Sequence, residues 1–352
     1  MSIRGIAIVG ASSAVAPRHT EAFGALPSTE IRALVEIDPG KAELLRAAHP
    51  DIPVFGSIAE VSAPIDLAVV CVPDPAHGPV VTECLDRGWH VLCEKPLTDD
   101  IAMAEQLFAR ADKSGLFLAV AYQRRHMLAE LGDLVAAGLI GDLYWVNAWW
   151  MRRSGHPDSR RGMFRRGDGV RGDLVPHMLS QTLRFLAPGQ LTVVARDWQI
   201  NTGWGSEDTA RVTIRDGADV ELQIHAAYDA PHVSTSDDCG ITLYGTLGSI
   251  HVDLPTDQDS RWARNNPPIL YPRNGSAVRR LAPVPTTAEC HLLQAGAVSG
   301  GLSSGPAPAT IRDQEMTLVR TVAAAQASAT WDGVAIPVHH ALADRGAHRS
   351  MC

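Results

Sequence analysis

Residues Trp89–Asp100 read WHVLCEKPLTDD, and this stretch decides the fold. An apolar run, Val91, Leu92 and Cys93, stops abruptly at a carboxylate, an ammonium and a proline. Buried parallel strands deliver polar groups in this way to the carboxyl edge of a sheet, where α/β proteins bind ligands. Lys95 stands out within its own chain. The other lysines are Lys41 and Lys113, and every remaining basic residue among the 31 is arginine. A compact ammonium in a chain that defaults to arginine suggests a chemical task, because the two cations differ in geometry and acidity. An ordinary surface lysine after a strand is the plain alternative. Pro96 weighs against it, since a proline just past a strand end favours a fixed, cis-prone turn.

The motif VLCEKPL, preceded by VCVPDPAHGPVVTECLDRGWH, resembles the glucose–fructose oxidoreductase/inositol dehydrogenase (Gfo/Idh/MocA) family of nicotinamide-dependent sugar and cyclitol dehydrogenases. The resemblance covers about residues 3–338, and Glu-Lys-Pro is its most specific part. It implies that Lys95 is an active-site lysine and that a cis peptide precedes Pro96. It also implies that Glu94 and the Pro-rich turn with Pro73 and His77 lie near the nicotinamide cofactor.

At 352 residues the chain is too long for one typical core, so two domains are expected. A hydrophobic content of 45% and a charged content of 20% describe an ordinary globular protein. The net charge of −8 argues against nucleic acid as a partner. Six cysteines lie far apart without metal-ligand spacing, which indicates reduced thiols, no metal and a cytoplasmic protein. No leader is evident before the strand-like opening, and the apolar runs are too short to span a bilayer.

Ile3–Val9 reads as a buried strand, and Gly10 opens the turn after it. A dinucleotide fold expects G-x-G-x-x-G there, leading into a helix whose N-terminus holds pyrophosphate. The chain reads GASSAVAPRH instead, with only the first glycine. The resembled family usually places a histidine eight residues after that glycine, whereas His19 lies nine after Gly10. One inserted residue puts Ser12 or Ser13 at the second glycine, where short hydroxyls can still bond phosphate. The second strand, Ile31–Val35, ends at Glu36. A carboxylate at that point accepts ribose hydroxyls and repels a 2′-phosphate, which favours NAD over NADP. Further helix and strand signals follow: helices near 39–48, 79–86 and 99–113 (with Thr98 as N-cap), and strands near 52–55, 66–72 and 116–121. This alternation means a doubly wound, Rossmann-type parallel sheet over residues 1–122.

Residues 123–338 read as an α+β domain for substrate binding and oligomerisation, with a large, mainly antiparallel open sheet, and 339–352 as a tail. Asp173 and His177, in GDLVPHMLSQTLRFL, are four apart and share one helical face. Pro176 is tolerated in a first turn but not deeper, so the helix is expected to begin no earlier than about Gly172. That would put Asp173 near the N-cap and His177 at the positive end of the dipole. The resemblance implies that Asp173 and His177 join Lys95 as the catalytic group. In TARVTIRDGADVELQI, parity rejects a two-residue loop and predicts a three-residue turn over Arg215–Gly217. That register pairs Val212 with Val220 and sets Gly217 left-handed. Residues 255–285 read as a loop at an oligomer contact, followed by helices near 286–297 and 310–328 and a strand near 334–338.

These readings converge on an NAD-dependent dehydrogenase acting on a secondary alcohol of a sugar, sugar derivative or cyclitol. His177 would take the hydroxyl proton, Lys95 would bond the same oxygen, and Asp173 would orient His177 or the substrate. Seven arginines between Arg152 and Arg171, with Arg152 and Arg165 the candidate substrate contacts, raise the alternative of an anionic substrate. A redox-neutral NAD-using sugar lyase or glycosidase needs nearly the same residues. A non-catalytic NAD/sugar sensor would lack them. A homodimer or homotetramer is expected.

Overall fold

Apolar runs without alternation build the first sheet. β1 (Arg4–Val9), β2 (Thr29–Val35), β3 (Val54–Phe55), β4 (Leu67–Val70), β5 (His90–Cys93) and β6 (Leu118–Val120) pair in parallel in the order β3-β2-β1-β4-β5-β6. The computed structural model describes residues 4–153, 169–187, 189–200, 205–230, 233, 237–256, 260–302 and 309–338. All four β4 side chains are buried, as expected of a strand covered on both faces. The crossovers are α1 (Ala16–Gly24), α2 (Pro39–Ala48), α3 (His77–Asp86) and α4 (Ile101–Lys113).

α2 occupies the expected residues because Asp38 caps it, accepting from Lys41 N–H at 3.0 Å, while Pro39 takes the first helical position. α4 starts later than the sequence suggests. Asp100 is its cap, accepting from Ala102 and Met103 N–H, and the Thr98 hydroxyl instead accepts from Asp100 N–H.

The chain divides into two compact units, residues 1–123 with 288–319, and residues 124–287 with 320–352. The return of 288–319 to the first unit is a departure from the expected continuous second domain. Its cause is apolar packing, since Ala295, Val298 and Leu302 join a core with Phe23, Leu67, Leu92 and Phe117.

The second unit is built on β7 (Leu143–Arg153), β8 (Thr192–Trp198), β9 (Thr209–Arg215), β10 (Glu221–Ala230), β11 (Asp238–Gly245), β12 (Gly248–Asp253), β13 (Ile269–Pro272), β14 (Arg279–Arg280) and β15 (Ile336–Pro337). Their order is β14-β13-β12-β11-β7-β10-β9-β8-β15, antiparallel except for the β7/β10 pair. The helices from here on are α5 (Ala129–Ala136), α6 (Gly169–Thr182), α7 (Ser260–Asn265), α8 (Thr287–Gly301) and α9 (Ala309–Thr330). α6 packs on β7, β9 and β10. Val146, Ala148 and Trp150 are buried while Trp145, Asn147 and Trp149 are half-buried, so the covered and open faces alternate along β7.

Two expectations in this unit are corrected. The β9/β10 turn is longer than three residues, with Arg215 opposite Glu221 and Val212 opposite Ile224. Asp216 organises it by accepting from Ala218 and Val220 N–H, and Asp219 (φ 62°), not Gly217, takes the left-handed position. Parity is unchanged, so Val212 and Ile214 still share a buried face with Leu222 and Ile224. The stretch 255–285 is also not a plain loop, since it holds α7, β13 and β14. The expected tail, 339–352, lies outside the described residues.

Candidate active site

The first unit gathers the expected cofactor residues at the carboxyl ends of its strands. Gly10 has φ +78°, and a Cβ there would lie 2.9 Å from the Cys71 and Val72 backbone, so only glycine fits. The turn closes on itself: Gly10 and Ala11 N–H donate to Val35 O, and Ser13 N–H donates to Gly10 O. Glu36 is the second anchor, its carboxylate accepting from Ser12 N–H at 3.2 Å and Asp38 N–H at 3.0 Å. Burial raises the Glu36 pKa, but hydrogen bonds from the Ser12 hydroxyl, Asp38 N–H and Ser12 N–H, with the Lys41 charge, outweigh it and leave Glu36 lowered.

At the start of α1, Ala16 N–H donates to the Ser13 hydroxyl and Arg18 N–H to Val15 O, while Pro17 has no N–H. Ala14 and Val15 N–H have no acceptor among the described residues. Two orphan donors, two serine hydroxyls and an ionised Glu36 on one turn fit a dinucleotide, with pyrophosphate on the donors and ribose on the carboxylate. Ser12 and Ser13 occupy the turn where the dinucleotide pattern has its second glycine.

Glu94, Lys95 and Pro96 follow β5 directly, and the Lys95–Pro96 bond is cis. Glu94 Oε1 lies 2.8 Å from His19 Nε2, and Oε2 accepts from Lys95 N–H at 3.2 Å. Lys95 itself is half-buried. His77 is completely buried. Its Nδ1 lies 2.6 Å from Pro96 O and its Nε2 2.9 Å from Val72 O. Its ring therefore ties the turn after β4 to the Glu-Lys-Pro turn. Pro73 is exposed on the first of these turns.

In the second unit Asp173 and His177 sit on α6, both half-buried, on the same helical face. The helix begins at Gly169, earlier than Pro176 seemed to allow. Glu207 is the reason. Its carbonyl accepts from Val170 N–H at 3.1 Å and its carboxylate from Arg171 N–H at 3.2 Å, capping the helix from another segment. Pro176 therefore lies inside the helix, and His177 is past the first turn. The expected dipole effect on His177 is withdrawn, because it fades within one turn.

The Tyr228 hydroxyl reaches Asp173 Oδ2 at 3.2 Å and Gly169 O at 2.9 Å. Burial, then the Asp173 charge, pushes the Tyr228 pKa well above its ordinary value, so the phenol keeps its proton. Arg152 lies 3.4 Å from Asp173 and 3.7 Å from Asp237, over the Tyr228 ring. Trp150 donates to Asp237 at 2.9 Å, and its ring stands 5.7 Å from that of His177. Arg171 pairs with Asp197 and Glu207. The two described ends of the arginine-rich stretch are thus engaged by acids, and Arg165 lies outside the described residues.

Each unit therefore assembles its own share of the expected residues, Lys95 in the first and Asp173 and His177 in the second. The sequence reading missed Tyr228, Trp150, Asp237 and Glu207, and His19 as the partner of Glu94. Only His19 carried a signal, its place after the dinucleotide turn. Among the described residues no cluster of His, Cys, Asp or Glu is placed to hold a metal, and Cys71, Cys84, Cys93, Cys239 and Cys290 are buried.

Residues 4–122 match the family model described as an oxidoreductase family with an NAD-binding Rossmann fold, and residues 128–251 match the GFO/IDH/MocA C-terminal domain. The D-glucoside 3-dehydrogenase of Escherichia coli is 26% identical over 235 residues, 62% of this chain and 66% of that protein. A protein of Amycolatopsis mediterranei with the provisional name UDP-kanosamine synthase oxidoreductase subunit is 30% identical over 288 residues, 73% of this chain and 76% of its own length. Across such curated relatives the aligned region spans from 40% to 76% of their lengths. An oxidoreductase from Agrobacterium radiobacter, solved with NAD+, L-tartaric acid and magnesium, superposes with a TM-score of 0.82 at 19% identity, covering 97% of this chain and all of that one.

Proposed function

This chain belongs to the Gfo/Idh/MocA family of oxidoreductases with an NAD-binding Rossmann domain, and from that premise we propose that it oxidises or reduces a secondary alcohol of a sugar, sugar derivative or cyclitol. NAD, when bound, supplies the hydride acceptor. Gly10, Ser12, Ser13 and Glu36 would hold it. His177 takes the hydroxyl proton in the oxidative direction, a role worth ~10²–10⁴-fold for a positioned base. Lys95 donates a hydrogen bond to the same oxygen and stabilises its growing negative charge. Asp173 fixes the α6 side of the site.

One observation supports this most directly: Asp173 and His177 share a face of α6, with Asp173 held by Tyr228 and Arg152. A sensor has no need of a carboxylate held in this way one turn before a histidine. Arg152 and Arg171 are already engaged by carboxylates, which favours a neutral polyol over an anionic substrate.

A cofactor-reduction screen over cyclitols, hexoses, uronic acids and sugar phosphates tests the proposal. Net NADH formation with a neutral polyol supports it. Product without net NADH would indicate the redox-neutral lyase or glycosidase, and no turnover with retained NAD binding would indicate a sensor.

We further propose a cytoplasmic homodimer or homotetramer. The open sheet face presents Trp145 stacked on Tyr244 at 4.4 Å and Trp149 on His251 at 5.6 Å, an aromatic row suited to a second copy. No described helix is long and apolar enough to cross a membrane. Light scattering of the eluted protein gives the subunit number.

A further inference from the structure

The first unit holds a buried pair of groups that the proposed chemistry does not use. His19, on α1, is 1% exposed, and its Nε2 lies 2.8 Å from Glu94 Oε1. The other Glu94 oxygen accepts from the N–H of Lys95 at 3.2 Å, and Glu94 N–H donates to Val70 O at 2.8 Å. Glu94 is therefore pinned at its backbone and at both carboxylate oxygens, and one pin is the peptide that starts Lys95. On its other side His19 meets His291 of α8, edge to face at 5.0 Å between centroids. His291 is 2% exposed, and burial followed by the His19 charge pushes its pKa down to about 3, so this neighbour is a neutral imidazole near pH 7.

We propose that His19 is a positioning residue for Lys95: by gripping the Glu94 carboxylate it fixes both the direction of the Glu-Lys-Pro turn and a permanent negative charge beside the lysine. Burial acts to raise the Glu94 pKa, while the His19 hydrogen bond, the charges of His19 and Lys95 and the Lys95 N–H lower it, with a net lowering. The charge acting on Glu94 besides His19 is Lys95 on the turn. The thiols of Cys71 after β4 and Cys93 on β5 also face the carboxylate, and burial followed by its charge pushes their pKa values up. α8 contributes the neutral His291, on which Arg18 of α1 acts. Losing the His19 donor leaves the desolvation in place, so Glu94 would become protonated at a higher pH. The lysine would then lose its counter-charge, and its turn would lose an anchor. A misplacement near 1 Å at such a group costs on the order of 10²-fold in rate.

The kinetic side of this proposal rests on the dehydrogenase reading; the lysine itself can be watched without turnover. The chain has only Lys41, Lys95 and Lys113, so reductive 13C-methylation gives three lysine resonances beside that of the N-terminus. A Lys95→Arg sample assigns the one of interest. The His19→Leu protein should displace the Lys95 resonance and add a Glu94 titration step at a higher pH than in the wild type, leaving Lys41 and Lys113 unchanged. His19→Gln, whose amide can donate to the same carboxylate, should abolish that step. In turnover, His19→Leu should lower kcat by ~10–100-fold with KM for NAD within about twofold, and the glutamine variant should recover most of it.

A Lys95 resonance in His19→Leu that follows the wild type throughout overturns the proposal. So does a glutamine variant that rescues neither signal nor rate. Should His19→Leu fail to fold, Glu94→Gln keeps the shape and removes the charge; an undisplaced Lys95 resonance there is equally fatal. Absence of turnover in the wild type would sink the dehydrogenase reading, and the resonance would still decide the role of His19.

Discussion

Tyr228 and Asp173 meet at 3.2 Å, and the same phenol lies 2.9 Å from the carbonyl of Gly169, the first residue of α6. One hydroxyl from β10 thus reaches both the start of the helix and the carboxylate one turn along it. Gly169 is constrained too: at φ +51°, a Cβ would sit 2.1 Å from the Glu207 carboxyl carbon. The α6 terminus is therefore held by Glu207 and Tyr228 together, and the candidate acid–base residues ride on it.

Replacing Tyr228 by Phe keeps the ring and removes both hydrogen bonds. A buried carbonyl and a half-buried carboxylate each lose a donor, at a cost of ~1–3 kcal/mol for the buried group. Denaturant midpoints should fall accordingly, and kcat should drop ~10-fold or more as Asp173 shifts. A variant with the wild-type kcat would show that the phenol serves stability alone.

Lys95 and His177 are proposed to act on one substrate oxygen, so their substitutions should not add. Lys95→Met and His177→Asn should each lower kcat by ~10²–10⁴-fold, and the double variant should be little worse than the poorer single. Multiplying losses in the double-mutant cycle would place the two residues in separate steps.

How legible these features were in the sequence depended on the range of the interactions. The parallel sheet could be read because unbroken apolar runs such as LAVV in β4 are set by local composition, and α2 because Asp38 and Pro39 cap it from within. α6 was misplaced because its cap, Glu207, lies 38 residues after Gly169, and no local rule could supply it. The β9/β10 parity could be read from the period of two, yet the turn length could not, because Asp216 builds it with side-chain bonds. Lys95, Asp173 and His177 were visible as motif residues and His19 by its spacing from Gly10, whereas Tyr228, Asp237 and the pairing of His19 with Glu94 entered only through contacts made by folding. His77 was visible and its task was not, since both its partners are backbone carbonyls.

Glu36 should set cofactor choice. Its lowered pKa keeps the carboxylate charged, where a 2′-phosphate would meet it directly. The wild type should prefer NAD, and Glu36→Gln should narrow that preference in kcat/KM. Because the same carboxylate braces Ser12 and Asp38, NAD affinity should weaken in the variant as well. A wild type that prefers NADP would contradict this assignment.

His291 should make the protein acid-sensitive. Its folded-state pKa is pushed down to about 3, mainly by burial and then by the His19 charge, against an unfolded value of ~6.5. Between those limits the unfolded chain binds a proton that the folded chain refuses, so stability rises with pH. The contribution is fully present above ~6.5 and is lost as pH falls, by up to ~1.4 kcal/mol for each unit. Glu94 opposes no part of this above pH 5, because its own pKa is lowered and it stays charged throughout. Urea midpoints measured at pH 7, 6 and 5 should therefore decline more steeply for the wild type than for His291→Phe, which has no proton to bind in either state. The phenylalanine variant can lie above or below the wild type at pH 7, since the imidazole's packing against His19 is lost with it. The slope is what identifies the histidine, and parallel declines in the two proteins would assign the acid sensitivity to other groups.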